Sequence, residues 1–164
     1  MLLIAHRGNT EGREPNFENN PDYVDKAIKQ GFSVEIDLRT VGKKVFLGHD
    51  APQYQISEQW LRDRSNWLWV HCKDQVAMMR GMEFNLNYFW HENDAYTMTS
   101  KGYVWAYPGK NPCTELTIMV MPEQHDLLGR IHSGNISPKP FGVCSDYVNF
   151  LRHGDCDVAK LPKG

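Results

Sequence analysis

The chain has 164 residues, a formal net charge of -2 and 41% hydrophobic residues, with five Trp, seven Tyr and seven Phe. That length supports one domain with a substantial core, and this composition excludes a disordered chain. The balance of 18 Lys and Arg against 20 Asp and Glu excludes the broad basic footprint of a nucleic-acid or anionic-membrane binder, while leaving local basic spots for a phosphate.

Short apolar runs recur along the chain, and most end in polar or charged residues. Leu2-Ile4 leads into His6-Arg7 and predicts a first strand. Asn20 is the predicted cap of a helix with Pro21 at its first position, Tyr23, Val24, Ala27 and Ile28 on one face, and Gly31 at the exit. Phe32-Val34 leads into Glu35-Ile36-Asp37, and Val45-Leu47 into His49-Asp50. Ser57 caps a second predicted helix through Arg64. Trp67-Val70 leads into His71-Cys72-Lys73, after which Asp74 caps a third helix over Gln75 to Met82. Tyr88-Trp90 leads into His91-Glu92-Asn93-Asp94, and Tyr103-Ala106 into Tyr107-Pro108-Gly109. Leu116-Met121 leads into Pro122-Glu123, and Phe141-Cys144 into Ser145-Asp146. The later connections are short and rich in Gly, Pro and Asn.

Near-continuous apolar runs suit strands buried on both faces, as in a parallel sheet. Strand alternating with helix predicts an α/β fold. Polar residues gathered at the C-terminal ends of many strands predict a TIM-type (β/α) barrel, whose active site lies on that face. The chain is short for eight full units, so the barrel is expected to be trimmed or incomplete, with several helices replaced by loops, as one domain over residues 1–164. Met1 to Ala5 is far shorter than a signal-peptide core and is cut by His6 and Arg7. No run approaches a membrane span. Cys72, Cys113, Cys144 and Cys156 show no CxxC spacing, and two of them sit in strand runs as small hydrophobes, so a cytoplasmic location is expected.

Glu35 and Asp37 are two apart on a predicted strand, so both side chains point the same way. Two carboxylates on one face call for a cation between them, and Mg²⁺ or Ca²⁺ takes such oxygen ligands. The other reading is a water-facing row, with Val34, Ile36 and Leu38 turned to the core. His6 and His49 are each open to a structural reading or to acid–base work near neutrality. Arg7 offers a planar fork for a phosphate. Trp105 and Tyr107 alternate on a strand and either pack or flank a sugar or base. Lys110 is expected to be solvated, and His125, His132 and His153 fall in polar stretches and take no role. Ser145 lacks the context of a nucleophile elbow.

Taken in order, "AHRGN…ENN…VEIDLRT…VFLGHD" resembles the glycerophosphodiester phosphodiesterases, within the superfamily of phosphoinositide-phospholipase-C-like barrels. That family opens with a His-Arg-Gly strand and an acidic Glu-Asn turn, then carries Glu-x-Asp on its second strand and a segment ending in His-Asp. The match is dense over the first third of the chain and loose from about Asn85 to Asn135. The resemblance implies that His6 and His49 are the acid–base pair and that Arg7 and Lys73 hold the phosphate. It implies that Glu35 and Asp37 bind a divalent metal, Mg²⁺ or Ca²⁺ with Mn²⁺ also admitted, and that Glu18 supports the site. The family's third strand ends in Glu-x-Lys, where this chain reads His71-Cys72-Lys73. Either His71 is the third ligand, or a water or another strand-end acid such as Glu92 takes that place. "FGVCSDYVNFL" resembles the family's last strand and sets Asp146 near the rim of the pocket.

The implied activity is metal-dependent hydrolysis of a small, glycerophosphodiester-like phosphodiester. The expected partner is that small-molecule substrate, with no nucleic acid and no membrane span. The family often carries an insertion after its His-Asp segment that shapes a lipid- or glycerol-facing wall, and Ala51 to Trp60 leaves no room for it, so the alcohols of the substrate do not transfer. A non-catalytic binder of phosphate ligands that kept the pocket is the alternative. A barrel lyase or aldolase fits Glu-x-Asp and leaves the His-Arg pair unexplained.

Overall fold

The computed structural model describes residues 1–110 and 114–154, so the expectations placed on Cys113, Cys156 and the Asn111-Pro112 part of the glycine-proline loop lie outside the described residues. Strands β1 (Leu2–His6), β2 (Ser33–Val41), β3 (Lys44–Leu47), β4 (Tyr54–Ile56), β5 (Leu68–Cys72), β6 (Asn87–Phe89), β7 (Tyr96–Met98), β8 (Val104–Ala106), β9 (Thr117–Val120) and β10 (Gly142–Ser145) form one ten-stranded sheet. Between them lie helices α1 (Pro21–Lys29), α2 (Glu58–Asp63), α3 (Gln75–Glu83), α4 (Leu128–His132) and α5 (Val148–His153), with a 3-10 turn at Pro122–His125.

The three predicted caps are made. The side chain of Asn20 accepts from the backbone of Asp22 and Tyr23, that of Ser57 from Trp60, and that of Asp74 from Ala77. Each satisfies an amide that the first turn of its helix leaves without a partner. β4, β7, α4 and α5 carry no signal in the sequence pattern. They are three to six residues long, too short to show a period; the two strands are held by ladders to β3 and β8, and the two helices pack through Leu128, Ile131 and Leu151.

Parallel ladders run through β6-β5-β2-β1-β10-β9-β8. The chain therefore winds one way round the curl, from β1 through β2, β5 and β6, and returns through β8, β9 and β10 to pair with β1. β3 and β4 continue antiparallel from the outer half of β2, and β7 lies antiparallel on β8. No ladder joins β6 to β8 among the described residues. The gap is spanned instead by Ser100 N donating to Tyr88 O at 2.8 Å, Thr97 Oγ1 donating to Trp90 O at 2.8 Å, and the Phe89 ring stacked on Trp105 at 4.4 Å. The observed architecture is a curled half-barrel sheet in a mixed α/β fold with few helices.

Register divides the residues between two faces. Ile4 lies opposite Cys144, His6 opposite Glu35, Glu35 opposite Trp69, and Asp37 opposite His71. Directly paired residues share a face, so His6, Glu35, Asp37, Trp69 and His71 all line the concave side. Below them Ile4, Trp69, Phe89, Trp105, Ile118, Val120 and Cys144 pack into one buried cluster. The alternate residues Val34, Ile36, Leu38, Leu68 and Val70 face outward and pack with Val24, Ala27, Leu61 and Ala77 of the helices. Both faces of β2 are thus covered, and the choice left open for Glu35 and Asp37 is settled: they face the interior of the curl, at 3% and 0% exposure.

Candidate functional site

The C-terminal ends of the parallel strands open into a cleft of about 700 Å³, lined among others by His6, Arg7, Glu35, His49, His71 and Lys73. The backbone has to bend sharply to deliver these groups. Arg7 adopts a left-handed conformation, φ +51°, immediately past β1, where a non-glycine residue is uncommon and is held by its surroundings. The next residue, Gly8, sits at φ +91°, where a Cβ would lie 2.9 Å from the Tyr23 ring. Gly48 is more tightly specified still: its φ is +150° and a Cβ there would meet the Ala51 carbonyl oxygen at 2.1 Å. That turn carries His49.

Asp37 is the hub. Its Oδ2 accepts from Asn19 Nδ2 at 2.9 Å and lies 3.0 Å from Arg7 Nε, while its own amide donates to Asn19 Oδ1 at 2.9 Å. Its Oδ1 faces His71 Nδ1 at 3.2 Å and Lys73 Nζ at 3.9 Å, yet accepts no hydrogen bond among the described residues although buried. Burial works against the charged carboxylate, but His71 and Arg7 outweigh it and hold Asp37 well below the ordinary aspartate value. Glu35 moves the opposite way: burial, then the neighbouring Asp37 charge, push its carboxyl up. Arg7 donates through Nη1 to Glu18 Oε2 at 2.9 Å, and Arg13 donates to Glu18 Oε1 at 3.0 Å. Burial disfavours the Glu18 charge, and these two guanidinium groups overcome it to lower its pKa.

His6 is held from behind. Its Nδ1 lies 2.8 Å from Asp146 Oδ1, which also accepts from Asn9 Nδ2 at 2.8 Å, and its Nε2 lies 4.0 Å from Glu35 Oε2. Burial disfavours the charged ring, but the Asp146 hydrogen bond and the Glu35 charge prevail and raise the His6 pKa. Asp146 is not at the rim as expected. It is buried under His6, and its amide donates to Glu123 Oε1 at 2.8 Å while Ser145 Oγ donates to Glu123 Oε2 at 2.8 Å. His49 lies on the other side of Arg7, with Nδ1 2.7 Å from Asp50 Oδ1. Burial, helped by the positive charges of Arg7 and Lys73, lowers its pKa against the pull of Asp37 and Asp50.

Every residue expected at the site therefore lines the cleft or touches one that does. Glu18 and Asp146 support from behind, and Glu92 stands at the exposed edge of the cleft. Glu35, Asp37 and His71 are the three whose ligand atoms come together, all within 4.8 Å of one another. Glu92 does not join them. The residues present fit a divalent cation: two buried carboxylates share a face, one of their oxygens is orphaned, and His71 Nε2 lies 3.2 Å from the His91 carbonyl oxygen. That is the outer contact a metal-bound imidazole commonly makes.

Three further residues contribute to the site. Asn19 is fully buried on Asp37, Glu123 lies behind Asp146, and Arg39 donates to Gly48 O at 2.9 Å and to His49 O, fixing the turn that bears the histidine. Asn19 stood within the quoted Glu-Asn-Asn run, and its left-handed backbone, φ +64°, is a conformation asparagine tolerates. Nothing in the sequence distinguishes Glu123 or Arg39 from surface charges. Trp105 is buried in the concave cluster, whereas Tyr107 is 46% exposed at the cleft wall, edge-on to His91 at 5.5 Å. Lys110, His125, His132 and His153 are exposed, and Ser145 is buried on Glu123. Cys72 and Cys144 are buried free thiols, Cys72 pushed up to about 12 by burial and Cys144 well above its ordinary value. No helix among the described residues is long and apolar enough to cross a membrane.

Compared with protein-family models, with curated proteins and with solved structures, the chain matches none.

Proposed function

We propose that this chain is a metal-dependent phosphodiesterase acting on a small, glycerophosphodiester-like substrate, its curled sheet a trimmed form of the barrel used by the family its motifs resemble. The carrying observation is the convergence of two histidines and two cationic side chains on one buried carboxylate pair in a single cleft. Burial of like-charged carboxylates is costly unless opposed, and a fold that needed only stability would place apolar residues there.

In this reading Arg7 and Lys73 bind the phosphate diester, Arg7 pre-oriented by Glu18 and Asp37. A divalent cation held by Glu35, Asp37 and His71 supplies positive charge against the phosphoryl oxygens. His49, whose surroundings favour the neutral ring, takes a proton from the attacking water or substrate hydroxyl. His6, whose surroundings favour the charged ring and whose Nδ1 is fixed by Asp146, gives a proton from Nε2 to the leaving alkoxide. Paired groups whose environments move their pKa values apart are suited to opposite roles. The free, buried Cys72 and Cys144 suit a reducing cytoplasm.

Turnover of a panel of soluble phosphodiesters with Mn²⁺, Mg²⁺, Ca²⁺ or Zn²⁺ tests the reading. His6→Ala and His49→Ala are each expected to lose about 10²- to 10⁴-fold in rate. Activity surviving in both variants overturns it, and phosphate-ligand binding with no turnover of any diester favours the non-catalytic alternative.

A further inference from the structure

We propose that the cation site selects a borderline first-row divalent ion, of the Mn²⁺ and Zn²⁺ kind, over Mg²⁺ and Ca²⁺, and that Nδ1 of His71 makes that choice. The inference uses the cation-binding part of the phosphodiesterase reading and does not need its catalytic part.

The His91 carbonyl oxygen can only accept, so the 3.2 Å contact from His71 Nε2 requires the ring proton on Nε2. In the neutral ring, Nδ1 then carries a lone pair. It lies 3.2 Å from Asp37 Oδ1, a buried oxygen that accepts no hydrogen bond among the described residues, so the two atoms stand at the spacing of neighbouring ligands on one ion. Without a cation a proton on Nδ1 offsets the Asp37 charge, and a cation bound by both atoms takes that proton's place. Rotation of the ring is obstructed, because His71 stacks on both Phe89 and His91 with each centroid 5.1 Å away. A cation held by Nδ1, Oδ1 and a Glu35 oxygen would have a coordination set of two oxygens and one nitrogen, since these atoms lie within 4.8 Å of one another.

The donor set favours one class of ion. Mg²⁺ demands oxygen octahedra and Ca²⁺ takes six to eight oxygens, often with a carboxylate bound through both atoms. Asp37 cannot offer both, since Oδ2 is occupied by Arg7 and Asn19. Lys73 stands 3.9 Å from the remaining oxygen and Arg7 adds a second positive charge, which weakens the attraction on which hard cations depend. An imidazole nitrogen keeps its preference for first-row transition ions in such a field. Three protein ligands with an open position also match the pattern of catalytic zinc sites.

The test is binding of each metal alone to the full chain, by calorimetry and competition, with pulsed EPR of the Mn²⁺ form. Mn²⁺ and Zn²⁺ are expected to bind at least about tenfold more tightly than Mg²⁺ and Ca²⁺, and the Mn²⁺ spectrum to show nitrogen modulation. His71→Glu is expected to erase the modulation and shift the preference toward Mg²⁺ and Ca²⁺ by about 10- to 100-fold. Glu35→Gln, which keeps the imidazole, is expected to weaken every ion while retaining the nitrogen signal at high Mn²⁺. Equal or tighter Mg²⁺ or Ca²⁺ binding, a Mn²⁺ spectrum without nitrogen, or no saturable binding at all overturns the proposal, the last because a proton on Nδ1 then satisfies Asp37. Tight Mn²⁺ binding through nitrogen with no diester turnover leaves this inference standing and removes the catalytic one. Turnover supported equally by Mg²⁺ does the reverse.

Discussion

The cleft has two walls built on different terms. On one side the ends of β1, β2 and β5 present His6, Arg7, Glu35, Asp37 and His71, all 14% exposed or less at the side chain and cross-linked by ion pairs and hydrogen bonds. On the other side, past β6, β8 and β9, stand His91, Glu92, Tyr107, Met121 and Gln124. There the contacts are ring against ring, and Tyr107 is nearly half exposed. The first wall is preorganised: each charge is fixed before a ligand arrives, which suits groups that must meet a developing charge in one geometry. The second is adaptable and suits recognition of whatever the phosphate carries. A rigid wall concentrates stability as well as chemistry, so the two walls are expected to respond very differently to substitution.

The largest difference is expected at Asp37. Asp37→Ala strips the counter-charge from buried Arg7 and from Lys73 and is expected to cost about 3–5 kcal/mol at pH 7, read by denaturant unfolding. A loss near zero would mean that the rigid wall is not held by charge. The pH dependence sharpens the point. Asp37 and Glu18 both have folded pKa values lowered beneath the ordinary carboxylate range. Their stabilisation is therefore complete above about pH 4 and is lost as pH falls through the depressed values. The stability gap between wild type and Asp37→Asn is expected to narrow on acidification below pH 4, and a gap constant with pH would contradict the assignment.

A smaller effect is expected at the turn carrying His49. Gly48→Ala forces a Cβ against the Ala51 carbonyl at a backbone angle that side chains rarely adopt, and is expected to cost about 1–3 kcal/mol. It should also move His49, so phosphodiester turnover is expected to fall more than stability alone explains. Asp146→Asn frees His6 from its charged partner, and the rate on a soluble diester is expected to drop while its KM stays close to that of the wild type. The smallest effect belongs to the open wall. Tyr107→Ala is expected to change stability by less than about 0.5 kcal/mol and to alter KM for diesters with bulky alcohols more than kcat. Equal losses at Tyr107 and Asp37 would erase the distinction between the walls.

Much of the rigid wall is local in sequence. The His-Arg-Gly strand end, the Glu-x-Asp pair and the capped helices follow from periodicity, from side-chain alternation and from residues that can satisfy a helix terminus. The open wall is legible only at its strand ends, where β6, β8 and β9 run out into His91-Glu92, Tyr107 and Met121; β7 beside it is three residues long, too short to carry a period. Asp146 lies 140 positions from the histidine it holds, and Glu123 and Arg39 act through backbone groups that no motif marks.

Eight of the ten strands, the shared face of Glu35 and Asp37, and the side chains at those strand ends can be read from the sequence alone, since all of these depend on neighbours a few residues away. Only the tertiary structure decided that this face is the inner one, because covering β2 with helices on one side and the curl on the other needs the whole sheet. It decided also that His71 shows Nδ1 to Asp37, because the His91 carbonyl that fixes the ring proton comes from the next parallel strand's end. A hydrogen bond across 20 residues is a property of the fold, and no spacing encodes it.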